Sequence, residues 1–400
     1  MSDLTYPIEG FAPAPAESLI GLTLDDPRVP TPSFIIDDRK LEANLERAKA
    51  RAKALGVTLR PHLKTHKSIK IARRQMVSPE GPATVSTLAE ARYFAANGVK
   101  DLIYAVGIAP QKLAEVERIR ALGCDLKIIL DSEEAARLVS DYCMVKDVEI
   151  PVLLEVDVDG HRSGIQPESE DLLKAARALT NGAKLVGVLT HAGDSYECKT
   201  IDAIREAAEA ERAGIVRAAE RLRAEGFLID IVSLGSTPTL MFAESEEGVT
   251  EIRAGVCALF DLFMTNVGAC SMDEIAGSVL TTVIGRQTAK NRVITDSGFL
   301  AMSRDRGTQR QKKDYQYGVV CLMNGEPVEG DKLLLTGTNQ EHGIITIPEG
   351  TDLAQEHFPV GLRLRILPNH ACPTVAPYAH LLLVRDGHIV DVIEHVRGWE

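Results

Sequence analysis

From about residue 31 to residue 270 the chain alternates between two hydrophobic periods. Eight short apolar, β-branched runs ("VTLRPHLKT", "ATVST", "DLIYAV", "LKIIL", "PVLLEVDV", "LVGVLTHAG", "IDIVSLGST" and "EIRAGVCALFD") are mostly separated by stretches whose apolar positions recur every three or four residues. The runs read as buried parallel strands and the stretches between them as covering helices. A preceding strand, "TPSFIID", leads into a helix from about Arg39 to Leu55. Leu41, Leu45, Ala48 and Ala52 share one of its faces, Asp37 or Asp38 caps it, and Gly56 ends it. Thr87 and Glu90 spell a capping box, and Ser132 caps a further helix. This pattern predicts an α/β fold, a (β/α)8 TIM-type barrel over residues 31–274, with strand 31–37 free to join whatever follows. A doubly wound sheet is the alternative, but no G-x-G-x-x-G follows the first strand.

After about residue 275 the pattern changes. "SVLTTVIGRQT", "NRVITDSG", "YGVVCLM", "DKLLLTG", "HGIITI", "LRLRILP" and "HLLLVRDGHIVDVIEHV" are strands and turns with almost no helix, and Asp386-Gly387 marks a tight hairpin. Residues 275–400 therefore read as an all-β domain, and the Pro-rich residues 1–30 as an irregular segment.

Composition narrows the function. The 400 residues carry 45 Lys and Arg against 57 Asp and Glu, a net charge of −12. That balance argues against general nucleic-acid binding and for a small-molecule partner. No run approaches the ~20 apolar residues that span a bilayer, and "MSDLTYPIEG" lacks the pattern of a signal peptide. The seven cysteines are scattered, odd in number and never in C-x-x-C, the usage of a reducing cytoplasm.

Against this acidic background "RPHLKTHKS" gathers Arg60, His62, Lys64, His66 and Lys67 with no acid among them. It reads as a solvated basic face, an anion or nucleic-acid patch, or a reactive lysine with helpers. Barrel active sites lie at the C-terminal strand ends, which selects Lys64, Arg162, His191, Gly235-Ser236-Thr237 and Gly255. Strand alternation puts Arg60, His62, Lys64 and His66 on one side, so a buried lysine in a cationic setting would favour its neutral, nucleophilic amine. A salt-bridged lysine is the ordinary reading. "LGSTPT" follows the seventh strand, where barrels often bind phosphate; an ordinary turn has the same sequence. Arg162 in "VDGHRSG" offers a guanidinium to a phenolate or carboxylate, or forms a surface ion pair. In "PNHACPT", His370 and Cys372 stand two apart on a segment read as extended. They would point the same way, as a zinc pair with open coordination positions or as a buried cysteine beside a turn histidine. Glu341 and His342 in "NQEHG" are supporting groups or a plain loop.

Together these motifs resemble the fold-type III, alanine-racemase-like pyridoxal-phosphate enzymes. "RPHLKTHK" with "GHRSG", "THAGDSY", "LGSTPT", "QEHG" and "PNHACPT" is similar to the D-serine dehydratase and D-threonine aldolase family over about residues 30–398. The resemblance implies that Lys64 carries pyridoxal 5'-phosphate as a Schiff base, with Arg60 and His62 tuning it. Arg162 would approach the phenolic oxygen, and His191 and Tyr196 would lie beside the ring and phosphate. Gly235, Ser236, Thr237 and the backbone near Gly255 would hold the phosphate. His370 and Cys372 would hold a divalent metal, zinc by ligand softness. It also implies a homodimer and a small D-3-hydroxyamino acid substrate. The expected reaction is β-elimination of water, giving a keto acid and ammonia, with Lys64 as the base and D-serine as the leading substrate. The alternatives are retro-aldol cleavage, as in D-threonine aldolase, or either chemistry on D-3-hydroxyaspartate. For the last, the cationic loop 303–317 could read a second carboxylate. Cys372 favours the dehydratase, a carboxylate there being associated with the aldolases. A racemase or a non-catalytic cofactor carrier is more remote.

Overall fold

The computed structural model describes residues 14–399. Its first strand, β1 (Ser33–Asp37), leads into the helix Asp38–Ala54. Asp37 is the cap, accepting from the N–H groups of Arg39 and Lys40, and Leu41, Leu45, Ala48 and Ala52 form the buried stripe. The barrel strands are β2 (Thr58–Leu59), β3 (Ala83–Val85), β4 (Asp101–Gly107), β5 (Asp125–Leu130), β6 (Ile150–Val156), β7 (Ala183–Thr190), β8 (Ile231–Leu234) and β9 (Glu251–Ile252). They are parallel, in the order β2-β9-β8-β7-β6-β5-β4-β3. The ring closes where the chain beyond β2 meets β3: Leu63 donates to the Thr84 carbonyl and Thr84 to that of Pro61, both at 2.9 Å.

Strand alternation layers the barrel interior. Ile103, Ile129, Leu153 and Leu189 form an apolar plug. Two residues before Ile103 and Ile129 stand Asp101 and Lys127; Asp101 accepts from both Lys127 and Arg60 in a polar floor beneath that plug. Two residues after Leu153 comes Glu155, on the opposite side of it, among the residues that line the cavity above.

The second unit is built from β10 (Gly277–Gln287), β11 (Arg292–Thr295), β12 (Gly318–Cys321), β13 (Leu335–Thr338), β14 (Gly343–Thr346), β15 (Arg363–Pro368), β16 (His380–Arg385) and β17 (His388–Glu394). Its sheet runs β13-β14-β11-β10-β1-β16-β17, with β15 bridging β10 and β12. Strand β1 lies within this sheet, antiparallel to β10 and parallel to β16. At the β16–β17 hairpin Asp386 and Gly387 both take positive φ, 50° and 79°, as a two-residue turn of the I′ kind requires. Of the Pro-rich start, residues 1–13 lie outside the described residues. Ala16–Leu19 form a 3-10 turn, and Thr23 makes an isolated bridge to His388. No helix among the described residues is long and apolar enough to cross a membrane.

Candidate active site

The basic stretch is taken apart by the fold. Arg60 points into the barrel floor, its Nε 2.8 Å from both Glu251 carboxylate oxygens and its terminal nitrogens on Asp101. Lys67 pairs with Glu90 at 3.2 Å. His66 is fully buried, bonded to the Gln75 side chain and the Ser68 N–H, and burial pushes it down to about 4. The strand ends at the His62 bridge and the following residues turn, so the alternation expected to bring Arg60 and His66 beside Lys64 does not continue. Lys64 itself is exposed rather than buried. It faces an open cavity of about 450 Å³ at the C-terminal end of the barrel.

That cavity brings together all the other expected residues. His62, Arg162, His191, Tyr196, Gly235, Ser236, Thr237, Gly255, His370 and Cys372 line it with Lys64. Burial, then the neighbouring Lys64 and Arg253, keep His62 well below the usual imidazole range, and its buried Nδ1 has no protein partner. His191 donates from Nδ1 to the Gly235 carbonyl at 3.0 Å, which leaves its Nε2 lone pair free; burial pushes it down to about 3. Its ring lies 5.9 Å from that of Tyr196. Arg162 extends over the mouth, 59% exposed and 3.9 Å from Glu155.

The loop after β8 differs in detail from the expected donor cradle. The Gly235 N–H is spent on the Glu211 carboxylate at 3.1 Å, and the Ser236 N–H on the Thr239 hydroxyl at 2.9 Å. The buried Thr237 hydroxyl, by contrast, has no partner. Gly235 has φ of +122°, and a Cβ there would meet the Arg253 carbonyl at 2.6 Å; one on Gly255 would meet the His62 carbonyl at 2.7 Å. Helix Thr237–Phe242 and the 3-10 turn Val256–Ala258 both begin at this cavity wall, capped by Ser236 and Gly255. Bare backbone, helix starts and an unpartnered hydroxyl suit a phosphate group.

His370 and Cys372 converge, but not on an extended strand. His370 caps the short helix Ala371–Val375, and Cys372 lies in its first turn. Asp305 accepts from His370 Nδ1 at 2.6 Å, which leaves Nε2 for a metal. Thr65, next to Lys64, places its hydroxyl 3.2 Å from the Cys372 sulfur. Burial alone would raise the thiol, but the His370 bond and charge, with the Lys64 charge, hold it below its usual range. Burial likewise opposes the His370 cation, yet Asp305 and Cys372 keep it well above the usual value. Among the described residues no group of three or more His, Cys, Asp or Glu forms a metal cage. His370 and Cys372 could thus offer an open pair of donors of the kind that suits zinc.

Several site residues escaped the sequence reading. Asp305 sits in the loop read only for its cations. In that loop Arg306 is tied to Asp314 and Gln316, and Arg304 stacks on Phe299; neither lines the cavity. Asp261 caps helix Leu262–Val267 and accepts from the Ala371 N–H at 2.9 Å, pinning the residue between His370 and Cys372. Arg253, pushed down to about 10 by burial, crosses from β9 to the Ser233 hydroxyl and the Thr190 carbonyl. The charges at Glu155 and Arg253 stand in otherwise apolar strands, which was the available signal. Glu341 and His342 are exposed and away from the cavity, a plain loop.

A parallel barrel with a lysine at the end of its first strand, joined to a β domain that presents a histidine and a cysteine, defines the alanine-racemase-like, fold-type III pyridoxal-phosphate class. Residues 36–262 match the family described as alanine racemase, N-terminal domain, and residues 276–384 match the serine dehydratase domain. A D-threo-3-hydroxyaspartate dehydratase of Delftia sp. (strain HT23) is 48% identical over 384 residues, 94% of this chain and 99% of its own. A D-serine dehydratase of Dictyostelium discoideum is 28% identical over 92% of this chain and 97% of its own. The Delftia enzyme's solved structure superposes with a TM-score of 0.90 at 46% identity, covering 94% of this chain and 100% of that one; a cysteine-to-alanine variant of it is described in a metal-free form. The chain belongs to the alanine-racemase-like family, in the branch that carries a serine dehydratase domain.

Proposed function

We propose that this chain is a pyridoxal-phosphate- and metal-dependent lyase that eliminates water from D-3-hydroxyamino acids, with D-threo-3-hydroxyaspartate ahead of D-serine. The observation that carries the reading is the 3.2 Å contact between Thr65 and Cys372. It sets the candidate base, Lys64, beside the candidate metal pair. The proton on Cα and the hydroxyl on Cβ can then be handled from one side of the cavity. The dehydratase named among the relatives, at 48% identity, moves the expected substrate from D-serine to the hydroxyaspartate alternative.

The residues present fit both groups. Lys64 would hold the coenzyme covalently. The start of helix Thr237–Phe242, the unpartnered Thr237 hydroxyl and the backbone at Gly255 would hold its phosphate. His191 would lie beside the ring, Arg162 near the phenolic oxygen, and His370 Nε2 and Cys372 Sγ would hold the metal. When bound, the coenzyme supplies a sink for the charge left on Cα and the metal a Lewis acid for the departing hydroxyl. The freed Lys64 amine takes the Cα proton. His62 and His191, kept neutral by burial, add no charge that would repel a cation at Lys64. Enamine hydrolysis in water then gives ammonia and a keto acid, oxaloacetate from hydroxyaspartate.

A homodimer belongs to the same reading, supported by the exposed mouth where Lys64 and Arg162 stand open. A cytoplasmic location is supported by seven cysteines without a disulfide among them. The test is to incubate the holoprotein with D-threo-3-hydroxyaspartate, D-serine, D-threonine and their L-enantiomers. Keto acid and ammonia from the D-forms alone are expected; glycine and aldehyde would replace elimination by aldol cleavage. Lys64→Ala should abolish the visible absorbance of the lysine-bound coenzyme, and its retention would end the assignment.

A further inference from the structure

The long helix Ile201–Ala224 packs through a stripe of Ile204, Ala208, Ile215, Ala218 and Leu222, and Glu211 falls in the middle of it, 1% exposed. A carboxyl group in an apolar stripe is unfavourable unless it satisfies something. Here one oxygen, Oε1, accepts from two backbone N–H groups on different loops: Ala192 at 2.8 Å and Gly235 at 3.1 Å. Ala192 follows His191, and Gly235 opens the Gly235-Ser236-Thr237 turn. The two loops are sewn together above this carboxylate. His191 Nδ1 donates to the Gly235 carbonyl at 3.0 Å, and the Ser195 and Ser236 hydroxyls meet at 3.0 Å.

We infer that Glu211 is a positioning residue that fixes the loop bearing the coenzyme's ring neighbour to the loop bearing its phosphate cradle. This rests on the coenzyme reading proposed above. Glu211 touches neither coenzyme nor substrate. It acts by holding two N–H groups at one point, so that the start of helix Thr237–Phe242 and the unpartnered Thr237 hydroxyl meet a phosphate without rearranging. A group that merely filled space would stabilise the fold without favouring the phosphorylated ligand. A positioning group favours pyridoxal phosphate over pyridoxal, because only the former uses the cradle.

The experiment titrates the full-length apoprotein with pyridoxal phosphate and with pyridoxal, in the natural chain and in Glu211→Met, Glu211→Asp and Glu211→Gln. Met keeps the length and removes the acceptor. Its preference for the phosphorylated form should fall at least about tenfold, equal to about 1.4 kcal/mol. Asp, one methylene short, should lose severalfold, and Gln, which keeps an acceptor oxygen in place, should stay close to the natural ratio. Equal ratios in all four proteins overturn the inference, as does a parallel loss for both ligands. If Met does not fold, the contrast between Asp and Gln decides the question in the same way. Failure of the natural chain to bind pyridoxal phosphate would instead bring down the coenzyme reading; binding by the natural chain with an unchanged ratio in the variants sinks the Glu211 role alone.

Discussion

Asp305 is where a single atom change should separate orientation from simple charge. Its two oxygens have different duties: Oδ1 accepts from the Gly307 N–H at 2.9 Å, and Oδ2 accepts from His370 Nδ1 at 2.6 Å. An acceptor-only carboxylate fixes the proton on Nδ1 and leaves the Nε2 lone pair for a metal. Asp305→Ala deletes that restraint but lets the ring choose its tautomer. Loss of such a partner typically lowers metal affinity 10- to 100-fold. The Asp305 side chain is 39% exposed, so water can partly replace it and about tenfold is expected here. Asp305→Asn should be worse. Its amide oxygen is held by the Gly307 N–H, since an NH2 there would face another donor. The NH2 is then left against Nδ1. That arrangement places the ring proton on Nε2 and blocks the lone pair, so a loss nearer a hundredfold is expected. The assay is calorimetric titration of the metal-stripped protein with zinc, with bound metal measured after dialysis. An asparagine variant that binds zinc as tightly as the natural chain, or more tightly than the alanine variant, would refute the tautomer argument.

Three further outcomes follow from the same geometry. Burial, then the adjacent Glu211 carboxylate, push Glu246 up to about 8, so the folded chain holds a proton at pH 7 that the unfolded chain has released; stability then falls as pH rises from about 4.5 toward 8. Glu246→Gln should raise stability at pH 7 by about 2–3 kcal/mol in urea unfolding and flatten that slope, and an unchanged midpoint would count against a protonated Glu246. Arg60→Leu strands Glu251 in the barrel floor and should destabilise by about 3–5 kcal/mol, while the coenzyme absorbance of the folded protein and its pH dependence stay as they were; a shifted absorbance would revive Arg60 as a tuner of Lys64. Gly235→Ala puts a methyl against the Arg253 backbone at φ +122°, so a stability loss of about 2 kcal/mol or more and weaker coenzyme binding are expected, measured by thermal unfolding and by coenzyme titration.

The parts of this molecule written in periods were legible, and those written in single departures from a period were not. Eight runs and their helices gave the barrel, the change after residue 275 gave the second sheet, and Asp386-Gly387 gave its hairpin. Strand ends then marked the cavity wall, because in a parallel barrel they converge whatever the side chains are. The errors arose where the regular rule stopped. The first barrel strand has only two ladder residues and one further bridge, so alternation could not be carried from His62 to His66. The segment at His370 turns into a helix, and the two donors meet through that turn rather than along a strand. Asp101 and Glu251, which neutralise Arg60, arrive from strands 41 and 191 residues away. No local reading of the basic stretch could supply them.

Those remote acids also explain why five cations near one point do not make an anion patch. Arg60 and Lys67 are each paired, and His66 is buried and neutral. His62 is held neutral by burial and by the charges of Lys64 and Arg253. Of the five, Lys64 alone presents a cationic group to the cavity. The carboxylates that take Arg60 out of contention are the ones that fill the barrel floor, while Glu90 takes Lys67 and burial the two histidines; one amine is left at the upper rim. Glu211 has a comparable double use at the loops after β7 and β8. There a buried acid answers two backbone donors and in doing so fixes the two loops between which a ring and a phosphate would lie.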